Sequence, residues 1–171
     1  MQSQPRRLLV VRHAKAEQEG PSDVERALAA QGHRDAAAAG RWCAERGLVA
    51  DHAWVSAARR TQETWEDLAA AADWTVEGYV DPGLYAAGVD TAVDLLRTTP
   101  ADATTVVVVG HNPTMSTLAQ LLDDGEGDPA AEEDMASGYP TSGLALFEYD
   151  GAWADLSLTS ARLVAFHVAR G

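Results

Sequence analysis

Two histidines and several arginines lie in three short polar runs, and each run directly follows a segment typical of a β-strand. The runs are Arg-His-Ala-Lys at 12–15, Ser-Ala-Ala-Arg-Arg-Thr at 56–61 and Gly-His-Asn-Pro at 110–113. In an open α/β sheet, ligands bind beyond the carboxyl ends of the strands. One such histidine alone would be ordinary loop chemistry, but two at equivalent strand ends beside arginines favour a site. We therefore expect the three runs to meet at one edge of a sheet.

The cations in these runs favour an anionic ligand. Arg12, Arg60 and Lys15, the only lysine of the chain, stand out in a sequence with a formal net charge of −13. A planar guanidinium donates two parallel hydrogen bonds, which suits the oxygens of a phosphoryl group. The sequence therefore predicts a local cationic phosphate site within an acidic protein.

A histidine beside a phosphate can ligate a metal, act as a general base, or attack phosphorus as a nucleophile. No third histidine or group of carboxylates has the spacing of a metal site, so we expect neither metal nor other cofactor. Neighbouring arginines would lower the pKa of the histidine and spread the charge of a transferred phosphoryl group. The residues alone leave the choice between base and nucleophile open.

The elements that must position these residues alternate along the chain. Predicted strands cover 8–11, 53–55, 75–79, 104–109, 143–149, 153–158 and 162–168, and predicted helices cover 24–47, 61–72, 89–97 and 113–122. Alternation of this kind predicts a three-layer α/β/α fold with a mainly parallel central sheet. We expect one domain over 1–171 with its core at about 8–168, and a hairpin around Asp150-Gly151.

The charge balance excludes some functions. The 171 residues include 26 acidic residues against 13 Lys plus Arg, which argues against nucleic acid and anionic membranes as partners. The segment 123–134 holds many acids and no base, and we expect a solvated loop rather than a recognition element for a basic partner. The single cysteine, Cys43, is expected to be a packed thiol. No apolar run suits a signal peptide or a membrane span, so we expect a cytoplasmic protein.

The ordered blocks of the sequence resemble those of the histidine phosphatase superfamily, whose fold is phosphoglycerate mutase-like. Leu9 to Lys15 is similar to its Arg-His-Gly/Ala signature, and the serine, arginine and threonines of 55–64 and the Gly-His-Asn-Pro run are similar to its second and third blocks. The short chain and the Asp-x-x-Arg-x-Leu stretch at 23–28 are most similar to the small SixA-like phosphohistidine phosphatases.

The resemblance implies a role for each matching residue. His13 would be the nucleophile that becomes phosphorylated, and Arg12, Arg60 and His111 would hold the phosphate. Arg26 would add a fourth contact. The Arg-Thr-x-x-Thr spacing selects Arg60 rather than Arg59, and 140–143 is expected to be a plain turn.

The sequence departs from the family where larger members carry an acid that protonates the leaving oxygen. Here Gly83 stands near that place, and Asp81 is a weak candidate donor that we expect to be a turn residue before a proline. Asp23 is a weaker candidate, because it can instead cap a helix containing Arg26. Imidazole, with a pKa of about 6.5, leaves phosphorus far more easily than an alkoxide.

The function expected from the resemblance is metal-independent hydrolysis of phosphohistidine, with a phosphorylated protein as partner. The alternatives are a phosphatase of a small phosphorylated metabolite and a phosphate-binding module without turnover.

Overall fold

The computed structural model describes residues 4–171 and contains a six-stranded sheet. The strands are β1 (Arg6–Arg12), β2 (His52–Ser56), β3 (Tyr79–Asp81), β4 (Thr105–Gly110), β5 (Gly143–Tyr149) and β6 (Arg162–Val168). Their order across the sheet is β3-β2-β4-β1-β5-β6. Strands β1 to β4 run parallel to one another, whereas β5 is antiparallel to both β1 and β6. The expectation of a mainly parallel sheet is confirmed.

Helices cover both faces of the sheet. They are α1 (Ala30–Glu45), α2 (Arg59–Ala71), α3 (Val89–Arg97), α4 (Thr114–Leu122) and α5 (Pro129–Ser137). Because successive strand residues point to opposite faces, Leu9 and Val11 of β1 pack with α1 and α2, and Leu8 and Val10 pack with α3 and α4. This arrangement confirms the three-layer α/β/α fold. Cys43 is fully buried in α1 and burial raises its pKa to about 12, so it is a packed thiol as expected.

The first helix begins later than expected, and residues 17–29 form an irregular segment. Two of the hydrogen-bond donors there are paired with side-chain oxygens rather than with the carbonyls of a helix. Arg26 Nε donates to Asp23 Oδ1, and Leu28 N donates to Glu63 Oε1 of α2 at 3.0 Å. Local side-chain hydrogen bonds of this kind compete with helix formation. The prediction of a helix from 24 was therefore wrong, and α1 begins at Ala30.

Two strand predictions also need correction. Trp153–Asp155 is a short 3₁₀ turn instead of a strand, because the indole of Trp153 is buried and its Nε1 donates to Ala103 O at 2.8 Å. The expected tight hairpin at Asp150-Gly151 is therefore absent, and β5 pairs with β6 across a longer connection. The third strand is β3 at Tyr79–Asp81, whereas 75–78 has no regular structure.

The acidic segment 123–134 is not a loop throughout, because its second half belongs to α5. Pro129 occupies the first turn, and Asp128 caps the helix by accepting a hydrogen bond from Ala131 N at 2.9 Å. Ala131 and Met135 are buried on the inner face, which gives the helix its packing energy. Within residues 4–171, no helix has the length and apolarity that crossing a bilayer requires.

Candidate functional site

The three polar runs meet at the carboxyl edge of the parallel strands, as the sequence predicted. His13 follows β1 and its backbone N–H donates to Gly110 O at the end of β4, at 3.0 Å. His111 follows β4, and the ring centroids of the two histidines are 5.3 Å apart. Ser56 and Arg60 come from the junction of β2 and α2, which also faces this edge.

Among residues 4–171, one ring nitrogen of His13 has a hydrogen-bond partner and the other has none. Its Nδ1 lies 2.7 Å from Ala14 O, and since a carbonyl only accepts, Nδ1 carries the proton. The neutral ring then leaves Nε2 with its lone pair available. Burial, with smaller contributions from Arg60, Arg12 and Arg26, lowers the pKa of His13 to about 4. The ring is therefore neutral at physiological pH.

Two hydroxyls of α2 fix the corner that carries His13. Thr64 Oγ1 accepts from Ala14 N at 3.0 Å and donates to Arg60 O at 2.7 Å, so it ties the end of β1 to α2. Thr61 Oγ1 lies within 2.8 Å of the carbonyls of Ser56 and Ala58, which hold the preceding turn. These contacts explain why threonines follow the arginine at one and four positions.

His111 is surrounded by polar groups from four parts of the chain. Its Nε2 lies 2.7 Å from Ser56 Oγ, and its Nδ1 lies 3.4 Å from Arg60 Nη2. The ring of Tyr85 packs edge-on against it at a centroid distance of 5.7 Å. Burial first, and then His13 and Arg60, lower the pKa of His111 to about 3, so this ring is also neutral.

Two arginines of the site have a buried Nε atom that finds no acceptor within residues 4–171. Arg60 is 6% exposed, and its Nε has no hydrogen-bond partner among residues 4–171. The same holds for Nε of Arg12, whose Nη1 donates to Tyr139 O at 3.1 Å. A buried donor without an acceptor costs free energy, and a bound anion would supply the acceptor. Arg59, by contrast, is 59% exposed and pairs with Glu63 on the helix surface.

Asp23 accepts hydrogen bonds from Arg26 and Arg60. It does not cap a helix, contrary to the sequence-based expectation. Arg26 donates to Asp23 Oδ1 at 3.0 Å, while Arg60 donates to its backbone carbonyl at 2.8 Å and to Oδ2 at 3.3 Å. The hydroxyl of Tyr85 also donates to Oδ2. These contacts, the one from Tyr85 first, lower the pKa of Asp23 to about 2. The carboxyl group is ionised and accepts hydrogen bonds rather than donating a proton.

Asp81 has a structural role in the short turn at Pro82–Tyr85. Its Oδ1 accepts from Gly83 N at 2.6 Å, which begins the turn, and none of its hydrogen bonds reaches a histidine or arginine of the site. The same turn ends at Tyr85, which contacts His111 and whose ring lies under Arg60 at 6.0 Å. Sequence reasoning looked for an acid in this segment and missed the tyrosine.

Tyr139 is a second residue that the sequence analysis missed. Its buried hydroxyl donates to Val10 O at 2.6 Å, and its carbonyl accepts from Arg12 and from Asn112 Nδ2 at 2.8 Å. It therefore holds the Arg12 and His111 runs at a fixed spacing. An aromatic residue two positions before the 141–142 turn was the available signal, but its contacts are long-range. The turn itself brings Ser142 N to His13 O at 3.1 Å.

A groove of about 750 Å³ begins at Arg12 and follows the edge of the sheet toward β6. Its walls come from the end of α5, the segment 138–140 and the end of β6. Asp134, Tyr139, Phe166 and His167 contribute polar and aromatic surface to it. The groove thus leads outward from one of the arginines of the site.

Comparisons with known proteins agree with this geometry. The sequence model of the histidine phosphatase superfamily, branch 1, matches residues 8–86. An uncharacterized protein of Mycobacterium tuberculosis is 37% identical over 94% of this chain and 100% of its own length.

Solved structures extend the similarity to the whole chain. A protein of Nakamurella multipartitia, provisionally named phosphohistidine phosphatase SixA, superposes with a TM-score of 0.84, 31% identity and coverage of 99% of each chain. The protein histidine phosphatase SixA in complex with tungstate has a TM-score of 0.78 at 20% identity, covering 95% of this chain and 96% of its own, and supports the fold alone. On these matches, the chain belongs to the histidine phosphatase superfamily.

Proposed function

We propose that this protein is a metal-independent phosphohistidine phosphatase that works through a phosphorylated His13. The observation that carries the proposal is the state of His13: a neutral ring whose Nδ1 is held by Ala14 O and whose Nε2 is free, beside buried arginine donors without acceptors. A free imidazole nitrogen is a nucleophile, and arginines stabilise the charge of a transferred phosphoryl group.

The reaction takes two displacements at phosphorus. In the first, Nε2 of His13 forms a bond to phosphorus while the bond from phosphorus to the substrate histidine breaks, and that ring, protonated on its other nitrogen, leaves as neutral imidazole. In the second, water attacks the phosphorus of phospho-His13, the bond to Nε2 breaks, and orthophosphate leaves. Arg12, Arg26, Arg60 and His111 bind the phosphoryl oxygens in both steps.

The leaving group is the reason to favour phosphohistidine over an alkyl phosphate. Neither carboxyl group that was a candidate proton donor is available for that role. Asp81 begins a turn, and Asp23 is ionised between two arginines. An imidazole, with a pKa of about 6.5, needs less help from an acid than an alkoxide does. The groove of about 750 Å³ that begins at Arg12 supports a protein substrate, since it offers space beside the site for residues that flank a phosphohistidine.

The first experiment maps the covalent intermediate. Enzyme mixed with a phosphohistidine protein is quenched in alkali, where a phosphoramidate survives, and the modified residue is found by mass spectrometry. We expect phosphate on His13, no adduct and no turnover in His13→Ala, and slower formation of the same adduct in His111→Ala. An adduct on His111, or full activity in His13→Ala, would contradict the assigned roles.

The second experiment compares substrates and tests for metal dependence. Values of kcat/KM are measured for phosphohistidine proteins and for small phosphorylated metabolites, before and after dialysis against EDTA. We expect the highest value for a phosphohistidine protein and no change on chelation. A metabolite hydrolysed faster, or activity that returns only with added Mg²⁺ or Zn²⁺, would replace this proposal with another. Phosphate binding without any turnover would indicate a binding module.

A further inference from the structure

Ser56, the last residue of β2, contacts His111 on the side of the ring away from Arg60. Its side chain is fully buried, and its Oγ lies 2.7 Å from Nε2 of His111. The other ring nitrogen, Nδ1, lies 3.4 Å from Nη2 of Arg60 and so faces the arginines. The serine therefore holds one end of the ring while the other end faces the place where phosphate would bind.

The hydrogen bonds around Ser56 decide which nitrogen of His111 carries the proton. Ala58 N donates to Ser56 Oγ at 3.4 Å, and a backbone N–H can only donate. The hydroxyl proton of Ser56 then has Nε2 of His111 as its one acceptor within hydrogen-bond distance in residues 4–171. If Nε2 carried a proton itself, the buried hydroxyl would have no acceptor, which is costly.

We propose that Ser56 is a positioning residue that fixes the tautomer of His111. Its hydroxyl donates to Nε2, the single ring proton sits on Nδ1, and Nδ1–H is presented to the phosphoryl group beside Arg60. In the opposite tautomer, Nδ1 would accept from Nη2 of Arg60, but that contact is long at 3.4 Å, whereas the 2.7 Å contact to Ser56 would then leave the buried hydroxyl without an acceptor. Nδ1 would also meet a phosphate oxygen as a bare acceptor, which repels it. This inference rests on the proposed function for its catalytic consequence, but the tautomer is a property of the unliganded protein.

The test begins with ¹⁵N NMR of the histidine side chains in the absence of substrate. In the wild type we expect the proton of His111 on Nδ1 and an unprotonated Nε2. In Ser56→Ala we expect the proton to move at least partly to Nε2, while Ser56→Thr retains the wild-type pattern. A proton on Nε2 in the wild type, or an unchanged pattern in Ser56→Ala, would overturn the proposal.

A matched control separates a change in the His111 tautomer from a general destabilisation of the turn between β2 and α2. Thr61→Val removes another buried hydroxyl of the same turn, whose hydrogen-bond partners within residues 4–171 are the carbonyls of Ser56 and Ala58. We expect it to lower stability and to leave the His111 tautomer on Nδ1. If Ser56→Ala does not fold, Ser56→Cys provides a weak donor at the same position, and a mixed tautomer is expected there.

Kinetics supply the second readout. Loss of the partner that orients a histidine costs about 10- to 100-fold at metal sites, and we expect a loss of similar size in kcat/KM for Ser56→Ala, rescued in Ser56→Thr. Unchanged kcat/KM in a Ser56→Ala protein whose tautomer has moved would overturn the catalytic half of the inference. Failure of the proposed function itself would be visible separately, as wild-type protein with the expected tautomer but no phosphohistidine turnover.

Discussion

His13 and His111 differ in what their ring nitrogens contact, although both follow parallel strands. The carbonyl of Ala14 holds Nδ1 of His13 and leaves Nε2 free, whereas His111 has a neighbour at each nitrogen. This difference is consistent with the separate roles that we propose for the two rings, attack at phosphorus for the first and phosphate binding for the second. Sequence position alone makes them look equivalent.

At the residue scale, both histidines should resist protonation. Burial and neighbouring arginines lower the pKa of His13 to about 4 and that of His111 to about 3. An unperturbed histidine, with a pKa of about 6.5, is mostly protonated at pH 5. A pH titration followed by NMR should show both rings still neutral at that pH. A midpoint near 6.5 for either ring would contradict the arrangement described above.

A second prediction at this scale compares the adjacent arginines. Arg60→Ala should reduce kcat/KM far more than Arg59→Ala, because Arg60 is buried and its donors face the site, while Arg59 lies on the surface beside Glu63. A donor to a developing charge contributes about 2.7–4 kcal/mol, and an exposed ion pair about 0–1 kcal/mol. Steady-state kinetics of the two variants would measure the difference. Equal losses would show that Arg60 does not contact the phosphoryl group.

At the scale of elements, the irregular segment 17–29 attaches Arg26 to the site. It does so largely through Asp23, which accepts hydrogen bonds from Arg26, Arg60 and Tyr85. The Asp23 carboxylate neutralises part of the positive charge of these arginines, which would otherwise attract an incoming phosphate. The segment thus supplies both Arg26, for which we propose a phosphate contact, and an anion that would compete with phosphate.

Asp23→Asn should bind phosphate analogues more tightly, because it removes a negative charge from the arginines and keeps the shape of the side chain. Asp23 is 55% exposed, so we expect inhibition by vanadate to strengthen by about two- to fivefold. Glu25→Gln is the control, since Glu25 contacts Ser22 and no arginine of the site. Weaker inhibition in Asp23→Asn would mean that orienting the arginines matters more than the charge.

Elements with strong local signals could be predicted from the sequence, and elements shaped by distant contacts could not. Val89–Arg97 and Gly143–Tyr149 have the expected bounds because amphipathic spacing in the first and β-forming residues in the second agree with the fold. Around Trp153, an apolar aromatic run was read as a strand, but burial of the indole against Ala103 decided otherwise.

The candidate site divides in the same way. Arg12, His13, Arg60 and His111 could be located from strand ends and motif spacing. Asp23 and Tyr85 acquire their roles only through contact with each other across 62 positions of sequence. Tyr139 reaches Val10 across 129 positions. No periodicity or local motif carries information about such pairs.

At the scale of the whole molecule, the lowered histidine pKa values link folding to pH. The unfolded chain takes up protons below about pH 6.5, whereas folded His13 and His111 stay neutral down to about 4 and about 3. Stability from this source is therefore complete above pH 6.5 and falls as the pH drops toward those values. The slope is about 1.4 kcal/mol per pH unit for each histidine.

Urea unfolding at pH 7 and pH 5 would measure this slope. In His13→Asn the free energy of unfolding should change less between the two pH values than in the wild type. The difference should equal the contribution of one histidine. Asp23 does not affect the comparison between pH 7 and pH 5. Its pKa is about 2, so its contribution to stability is lost only as the pH falls below the ordinary pKa of a carboxyl group. The same slope in wild type and variant would show that His13 titrates normally in the folded protein.

The position of β1 in the sheet also constrains how the protein is made. The strand that precedes His13 is translated early, but its two neighbours are β4 and β5, which end at Gly110 and Tyr149. A nascent chain containing residues 8–86 would hold His13, the proposed nucleophile, and Arg60 without either strand that flanks β1. The ribosome therefore synthesises most of the protein before the two histidines can meet, and a prematurely terminated chain would carry the phosphatase signature without a site.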